Sequence, residues 1–216
     1  MFIFLRSLFF TLFFAQICIA QSDKPESFNP KFIHTNNGGK IIFCCNNKQI
    51  QVNLFGKKIE NVETNSINAL SNSYFVAVDK IITQATLITI PEDVQKVYGI
   101  ENLTLEQQLK ILKGYMSYEI DYINSSQGPG AKDINYAEGN VGNQKHLIWN
   151  YFYKDYHEES DENGEAALGQ FCASTLVFNQ VLTVSIVLTK SNSNVNPVLL
   201  LKQIMENIEM HKKECD

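Results

Sequence analysis

The stretch that most constrains the fold is GQFCASTLVFNQVLTVSIVLTK, residues 169–190, near the C-terminal end of the chain. Its composition predicts two β-strands, over 168–178 and 181–190, joined by a tight turn at Asn179-Gln180. Apolar residues alternate onto both faces of this pair, with Leu182, Val184, Ile186 and Leu188 on one face and Leu176, Phe178, Val181 and Val187 on the other. Strands that are apolar on both faces are covered on both faces, so this hairpin is expected at the centre of a layered sheet.

An earlier segment predicts a second hairpin. Strands over 40–45 and 48–55 flank Asn46-Asn47, a pair that tolerates the backbone angles of a two-residue turn. Such a turn places Phe43 opposite Ile50 and Ile41 opposite Val52. Further strands are expected over 74–78, 81–90 and 146–156, whereas residues 125–142, with their glycines and polar side chains, are interpreted as a loop.

The clearest helix signal begins at Thr104, because Thr104-Leu105-Glu106-Gln107 has the spacing of a capping box. One stripe at helical spacing contains Leu105, Leu109, Leu112, Met116, Ile120 and Ile123. A second band beside it contains Ile111, Tyr115, Tyr118 and Tyr122. This apolar arc is wider than one surface helix normally buries. The band of Tyr115, Tyr118 and Tyr122 is therefore a candidate binding surface, and burial beneath a second layer of the domain is the alternative.

A shorter helix is expected over 92–98, and Asn196 with Pro197 marks the start of a last helix that presents Val198, Leu201, Ile204, Met205 and Ile208 to the core. The predicted fold class is α+β, mainly an antiparallel sheet with two long helices packed against it. From Tyr74 onward the order of a mid-chain helix, HLIWNYFYKDY, the central hairpin and the closing helix PVLLLKQIMENIEM resembles the exported PsbP-like and DcrB-like α/β sandwich proteins. That resemblance is architectural and implies a non-enzymatic binding or assembly factor.

The N-terminus has the pattern of a secretory signal peptide. Residues 1–20 carry one positive charge at Arg6, an apolar run and small residues before a cleavage position after Ala20. The apolar run is too short and too interrupted for a membrane-spanning anchor, so none is expected after cleavage. We predict a polar leader arm over 21–37 and a single α+β domain over 38–216, exported to the periplasm or the extracellular space.

Charge argues against several partners. Arg6 is the only arginine, and its removal with the signal takes the formal charge from −5 to −6. A chain with lysines but no guanidinium group is poorly equipped for phosphate or base recognition, so nucleic acid is not an expected partner. An unidentified protein or small molecule is the expected one.

The mature chain would keep Cys44, Cys45, Cys172 and Cys215, an even number that favours disulfides in an exported protein. Neighbouring strand residues point to opposite faces, so Cys44 and Cys45 are not expected to bond to each other. We expect at least one of them to pair with Cys172 or Cys215, with the partner left open. Four buried thiols are the alternative.

No catalytic, metal or cofactor motif stands out. Glu159, Asp161 and Asn163 have the rhythm of a calcium loop, but Gln170 stands where such loops carry a glutamate, so they form at most a weak cation site. The leading hypothesis is an exported non-catalytic binding or accessory factor of the cell envelope. The alternatives are a hydrolase with an unrecognised site, such as an acid pair or His146, and a structural envelope subunit.

Overall fold

The computed structural model of the protein describes residues 28, 30–45, 47–62, 72–98, 102–125, 130–154, 166–192 and 194–212. These residues form an α+β fold of three layers. A large antiparallel sheet lies in the middle, a long helix covers one of its faces, and a smaller sheet with a short helix covers the other. The predicted fold class is therefore confirmed.

The large sheet has seven strands in the order β4-β5-β6-β10-β9-β8-β7. Its strands are β4 Ile59–Asn61, β5 Ser73–Val78, β6 Ile81–Thr89, β7 Ala131–Val141, β8 Gln144–Tyr153, β9 Ala167–Val177 and β10 Gln180–Thr189. The hairpin of β9 and β10 lies in the interior of the sheet, as its two apolar faces predict. Its turn lies at Phe178-Asn179, one residue earlier than expected, with Phe178 at φ 50°.

The small sheet has the order β1-β2-β3-β11, with β1 Lys31–Thr35, β2 Gly38–Cys45, β3 Lys48–Phe55 and β11 Ile208–His211. The predicted register is confirmed, since Phe43 pairs with Ile50 and Ile41 pairs with Val52. These four side chains point into the core between the two sheets.

The helices are α1 Glu92–Tyr98, α2 Leu105–Ser125 and α3 Pro197–Met205. The capping box of α2 forms as predicted: Gln107 N–H donates to Thr104 Oγ1 at 3.2 Å, and Thr104 N–H donates to Gln107 Oε1 at 2.8 Å. Asn196 caps α3 by accepting a bond from Leu199 N–H at 3.1 Å. Helix α2 packs against β8, β9 and β7, and α3 packs against the opposite face of the large sheet.

Two cores result. The first fills the space between the two sheets and α3, around Phe43, Ile50, Val184, Ile186 and Ile204. The second lies between α2 and the other face of the large sheet, around Leu112, Met116, Trp149, Tyr151 and Cys172. Both faces of the large sheet are therefore buried where α2 and the small sheet cover them.

Three sequence predictions about the elements are wrong. The segment 125–142 contains the long edge strand β7, whose mostly exposed side chains lack the apolar alternation that signals a strand. The second half of the leader arm forms β1, held by its pairing to β2. The last helix ends at Met205, and Ile208 and His211 belong to β11, which pairs with β3. β1 and β7 are held by pairing to the next strand in the chain, and β11 by pairing to the distant β3.

Candidate functional site

A pocket lies beside α2 on its face of the large sheet. Its cavity has a volume of about 60 Å³ and is partly open to solvent. We call it the α2 pocket, and its lining residues are Gln84, Thr86, Ile88, Tyr115, Glu119, Ile123, Trp149, Tyr151, Gln170, Cys172, Thr183 and Ser185. Helix α2 supplies one wall, and strands β6, β8, β9 and β10 supply the floor.

Glu119 is the acidic side chain of this lining. The residue keeps some contact with solvent, but most of its surface is covered by protein. This burial raises the pKa of its carboxyl to about 7, and a side-chain hydrogen bond with Tyr115 opposes the shift. Among the described residues, Glu119 has no ion-pair partner. A carboxyl group that leaves water without a cation beside it favours its neutral form, which explains the direction of the shift.

The other titratable groups of the lining are neutral over the physiological range. Burial raises the pKa of Tyr115 well above its ordinary value, and the nearby Glu119 raises it further. Burial also raises the pKa of Tyr151 and of the Cys172 thiol. Among the lining residues, a formal charge near neutral pH is therefore carried by Glu119 alone.

The floor of the pocket is a hydrogen-bonded polar network. Trp149 Nε1–H donates to Ser174 Oγ at 3.2 Å, and Ser174 Oγ shares a hydrogen bond with Thr183 Oγ1 at 3.0 Å. Tyr151 donates its hydroxyl proton to Gln170 Oε1. Satisfied polar groups of this kind fix their side chains in place, so the pocket is preorganised.

A second part of the floor lies on β6. Gln84 Nε2 donates to Thr86 Oγ1 at 2.9 Å, and among the described residues the Gln84 carbonyl oxygen accepts no side-chain hydrogen bond. Aromatic rings complete the site, with Tyr115 edge-on to Trp149 at 6.5 Å between ring centroids and Trp149 stacked on Tyr151 at 6.1 Å.

The structure places the three tyrosines of the predicted band in different environments. Tyr115 lines the α2 pocket. Tyr118 lies 47% exposed on the outer side of the helix, and Tyr122 is partly buried. Of the three, Tyr115 alone faces the pocket, and the role of the exposed Tyr118 as a binding residue stays a prediction.

Only some of the cysteines belong to the described residues. Cys172 carries a free, buried thiol, so a bridge from the first hairpin to Cys172 is not present. The reason is its position on the α2 face of β9, whereas the first hairpin packs on the opposite face. Cys215 and the side chain of Cys45 lie outside the described residues, as do Glu159, Asp161 and Asn163 of the predicted cation loop.

His146 does not join the α2 pocket. It is 4% exposed, and neither ring nitrogen has a hydrogen-bond partner. Burial lowers its pKa to about 4, so the ring is neutral. Its neighbour Leu147 packs under α2, and strand alternation therefore turns His146 to the other face of the sheet.

No cluster of three or more metal-ligating side chains occurs within the described part of the chain. Every helix in those same ranges is too short or too polar to span a bilayer.

The structure is similar to the solution structure of cyanobacterial PsbP (CyanoP) from Synechocystis sp. PCC 6803, with a TM-score of 0.43 and 12% identity, over 89% of this chain and 98% of that chain. No family model matches the chain, and no curated protein matches it. The predicted resemblance to PsbP-like proteins is thus confirmed as a resemblance of architecture.

Sequence reasoning missed Glu119, although a signal was present. Glu119 lies four residues after Tyr115, seven after Leu112 and four before Ile123, which is the spacing of the buried stripe. A charged residue at a core position of an amphipathic helix is the pattern that marks this site.

Proposed function

We propose that this chain is an exported, non-catalytic binding or accessory factor of the cell envelope, and that its ligand occupies the α2 pocket. The observation that carries the proposal is Glu119, a carboxyl group at a core position of α2 beside a polar cavity. An apolar side chain there would stabilise the fold better, because an unpaired buried charge is costly. A cost of this kind, together with a shifted pKa in a cleft, is typical of a functional site.

The pocket is suited to binding. Its polar side chains are oriented by hydrogen bonds within the sheet, so little ordering is needed when a ligand arrives. Apolar side chains from Ile88 and Ile123 lie beside these polar groups. A mixture of apolar wall and a few fixed polar groups is usual for small-molecule sites.

The test is a nuclear magnetic resonance titration of the full chain, produced in a secreting host and purified in the form that the host releases. The probes are n-propylammonium, propionate and 1-propanol. We expect at least one probe to give saturable shifts at Gln84, Tyr115, Glu119 and Thr183, with no change in β1. If none of the probes shifts these amides, the pocket is not a ligand site and the proposal fails.

One observation favours a hydrolase as the second candidate. A carboxyl group with a pKa of about 7 in a pocket has the property required of a general base. The lining thiol of Cys172 does not support nucleophilic chemistry, because burial raises its pKa and thereby removes the reactive thiolate. Hydrolysis of ester or amide substrates that is lost in Glu119→Gln would favour this candidate over binding.

Export and a disulfide belong to the same proposal. In support, Cys44 carries no free thiol in the structure. Mass mapping of the released protein without reduction should give an N-terminus at Gln21 and a peptide linked through Cys44. Retention of Met1 with every thiol free would contradict both points, and co-purification with a large complex would instead support the structural envelope subunit.

A further inference from the structure

We propose that the α2 pocket binds a small primary ammonium ion, whose cationic head pairs with the Glu119 carboxylate. The inference rests on the proposed function and adds the chemical class of the ligand. It follows from the charge, the polar groups and the size of the pocket.

The charge of the pocket selects a cation. Glu119 is the ionisable acid of the lining, and no lysine or histidine lies among the lining residues. A ligand with a positive charge supplies the partner that the fold does not provide and removes the penalty of an unpaired buried carboxylate. An anion would meet that carboxylate without any compensating cation.

The number of acidic groups favours an organic cation over a metal ion. Calcium takes six to eight oxygen ligands, usually with more than one carboxylate, and magnesium requires an octahedral set. The lining of the α2 pocket offers one carboxylate, and the described residues hold no cluster of three metal-ligating side chains.

The polar groups match the three N–H donors of a primary ammonium. Glu119 accepts one bond as a carboxylate. The carbonyl oxygen of Gln84 and the hydroxyl groups of Thr183 and Ser185 are further acceptors in the same lining. The rings of Tyr115, Trp149 and Tyr151 form an aromatic wall, and aromatic rings attract cations at close range.

The size of the pocket limits the ligand to a small head group. A cavity of about 60 Å³ has room for roughly four to six water-sized groups, taking about 10–15 Å³ for each. The ammonium and its first carbon atoms fill that space. A short aliphatic tail then lies along Ile88 and Ile123 toward the open side.

Protonation of Glu119 makes binding dependent on pH. Burial holds the pKa of the free carboxyl at about 7, and the cation needs the ionised form. The titratable groups that face Glu119 are Tyr115 on α2, Tyr151 on β8 and Cys172 on β9, and all three stay neutral because their pKa values are raised. Affinity should therefore rise between pH 6 and pH 8, and a proton should be released on binding at the lower pH.

The experiment is isothermal titration calorimetry of the full chain with n-propylammonium at pH 6 and pH 8. 1-Propanol and propionate are titrated as comparison ligands. Alkylammonium ions keep their charge at both values, since their pKa is about 10, like that of lysine. We expect n-propylammonium to bind more tightly at pH 8, and Glu119→Gln to weaken it about 10- to 100-fold, the range for a lost charged hydrogen bond. The same variant should abolish the pH dependence.

Glu106→Gln is the matched control, because Glu106 lies on the same helix, is exposed and does not line the pocket. It should leave the affinity unchanged. Binding of propanol or propionate in place of the ammonium would overturn the ligand class while leaving a binding protein. If Glu106→Gln weakened n-propylammonium binding as much as Glu119→Gln does, the loss would come from general surface charge. That result would overturn the assigned site.

Discussion

At the scale of single residues, Glu119 and His146 are both ionisable groups placed where the fold favours the neutral form. Burial raises the pKa of Glu119 to about 7 and lowers that of His146 to about 4. Each group therefore lowers stability wherever the unfolded chain would carry the charge, which is above about pH 4.3 for Glu119 and below about pH 6.5 for His146. The two effects have opposite signs over overlapping pH ranges, so each is measured with a variant that removes only that group.

We expect Glu119→Gln to remove a loss of stability that the native chain suffers above neutral pH. The carboxyl has a pKa of about 7 in the folded protein and about 4.3 when unfolded, so the unfolded state ionises first and folding stability falls as pH rises between those values. The penalty reaches about 4 kcal/mol above pH 7. Urea unfolding at pH 4.5 and pH 8 measures it.

The difference between native chain and Glu119→Gln should thus favour the variant at pH 8 more than at pH 4.5. The exposed Glu106→Gln, on the same helix, serves as control and should show no such trend. A pH dependence that is identical in native chain and Glu119→Gln would show that the carboxyl is solvated.

For His146 the sign is opposite. Its pKa is about 4 in the folded protein and about 6.5 when unfolded, so stability falls as pH drops between those values. His146→Leu should remove this acid sensitivity. It should also stabilise the protein at pH 7 by about 1 kcal/mol or more, because two unsatisfied buried nitrogens are lost. Urea unfolding at pH 7 and pH 5 compares it with His34→Leu, whose histidine is exposed. Destabilisation at pH 7 would mean that water or a partner satisfies the ring.

At the scale of the elements, β8 and β9 approach unusually closely where Gly169 pairs with Phe152. A Cβ atom at Gly169 would lie 2.4 Å from the carbonyl oxygen of Tyr151 and 3.0 Å from the Cα of Phe152. Both are backbone atoms and cannot turn aside. This pair of strands carries Trp149, Tyr151, Gln170 and Cys172, so its geometry shapes the floor of the α2 pocket.

Gly169→Ala should therefore destabilise the protein by about 1–3 kcal/mol, the usual cost of overpacking. Gly139→Ala on β7 is the matched control, because a Cβ there meets nothing within 4 Å. We expect that control to stay within about 0.5 kcal/mol of the native chain. The midpoint of urea unfolding gives both values, and equal effects would show that the close approach of β8 and β9 relaxes without cost.

At the scale of the whole molecule, the two cores are separated by one sheet, so the interior strands hold both layers together. Strands β9 and β10 are paired on both sides and covered on both faces. Strands β1 and β7 lie at sheet edges with mostly exposed side chains. Local opening should therefore start at the edges, because an edge strand breaks fewer contacts when it leaves.

Native-state hydrogen exchange should show this order. Amides of β9 and β10 are expected to exchange only through global unfolding, and the outward amides of β1 and β7 through local opening. Leu182→Ala, in the first core, should lower protection of β10 by the full change in unfolding free energy, about 3 kcal/mol. Protection of the β7 edge as high as that of β10 would mean that another molecule covers this edge in solution.

Local sequence determined the elements whose signals are contained within a few residues. The hairpin with Phe43 opposite Ile50, the capping box at Thr104 and the cap at Asn196 depend on neighbouring residues, so their patterns are visible in the chain. The two apolar faces of β9 and β10 likewise predicted their central place.

Only the tertiary structure decided the rest. β11 exists because the distant strand β3 satisfies its backbone groups. β1 and β7 are the outer strands of hairpins with β2 and β8, and their mostly exposed side chains give no apolar alternation that would predict them. The α2 pocket depends on Gln84, Glu119, Trp149 and Thr183, which lie far apart in the chain. The sequence of α2 alone places the Glu119 carboxyl group on one face of the helix. The loss of water around that group, which sets its pKa, arises only when the distant segments pack together.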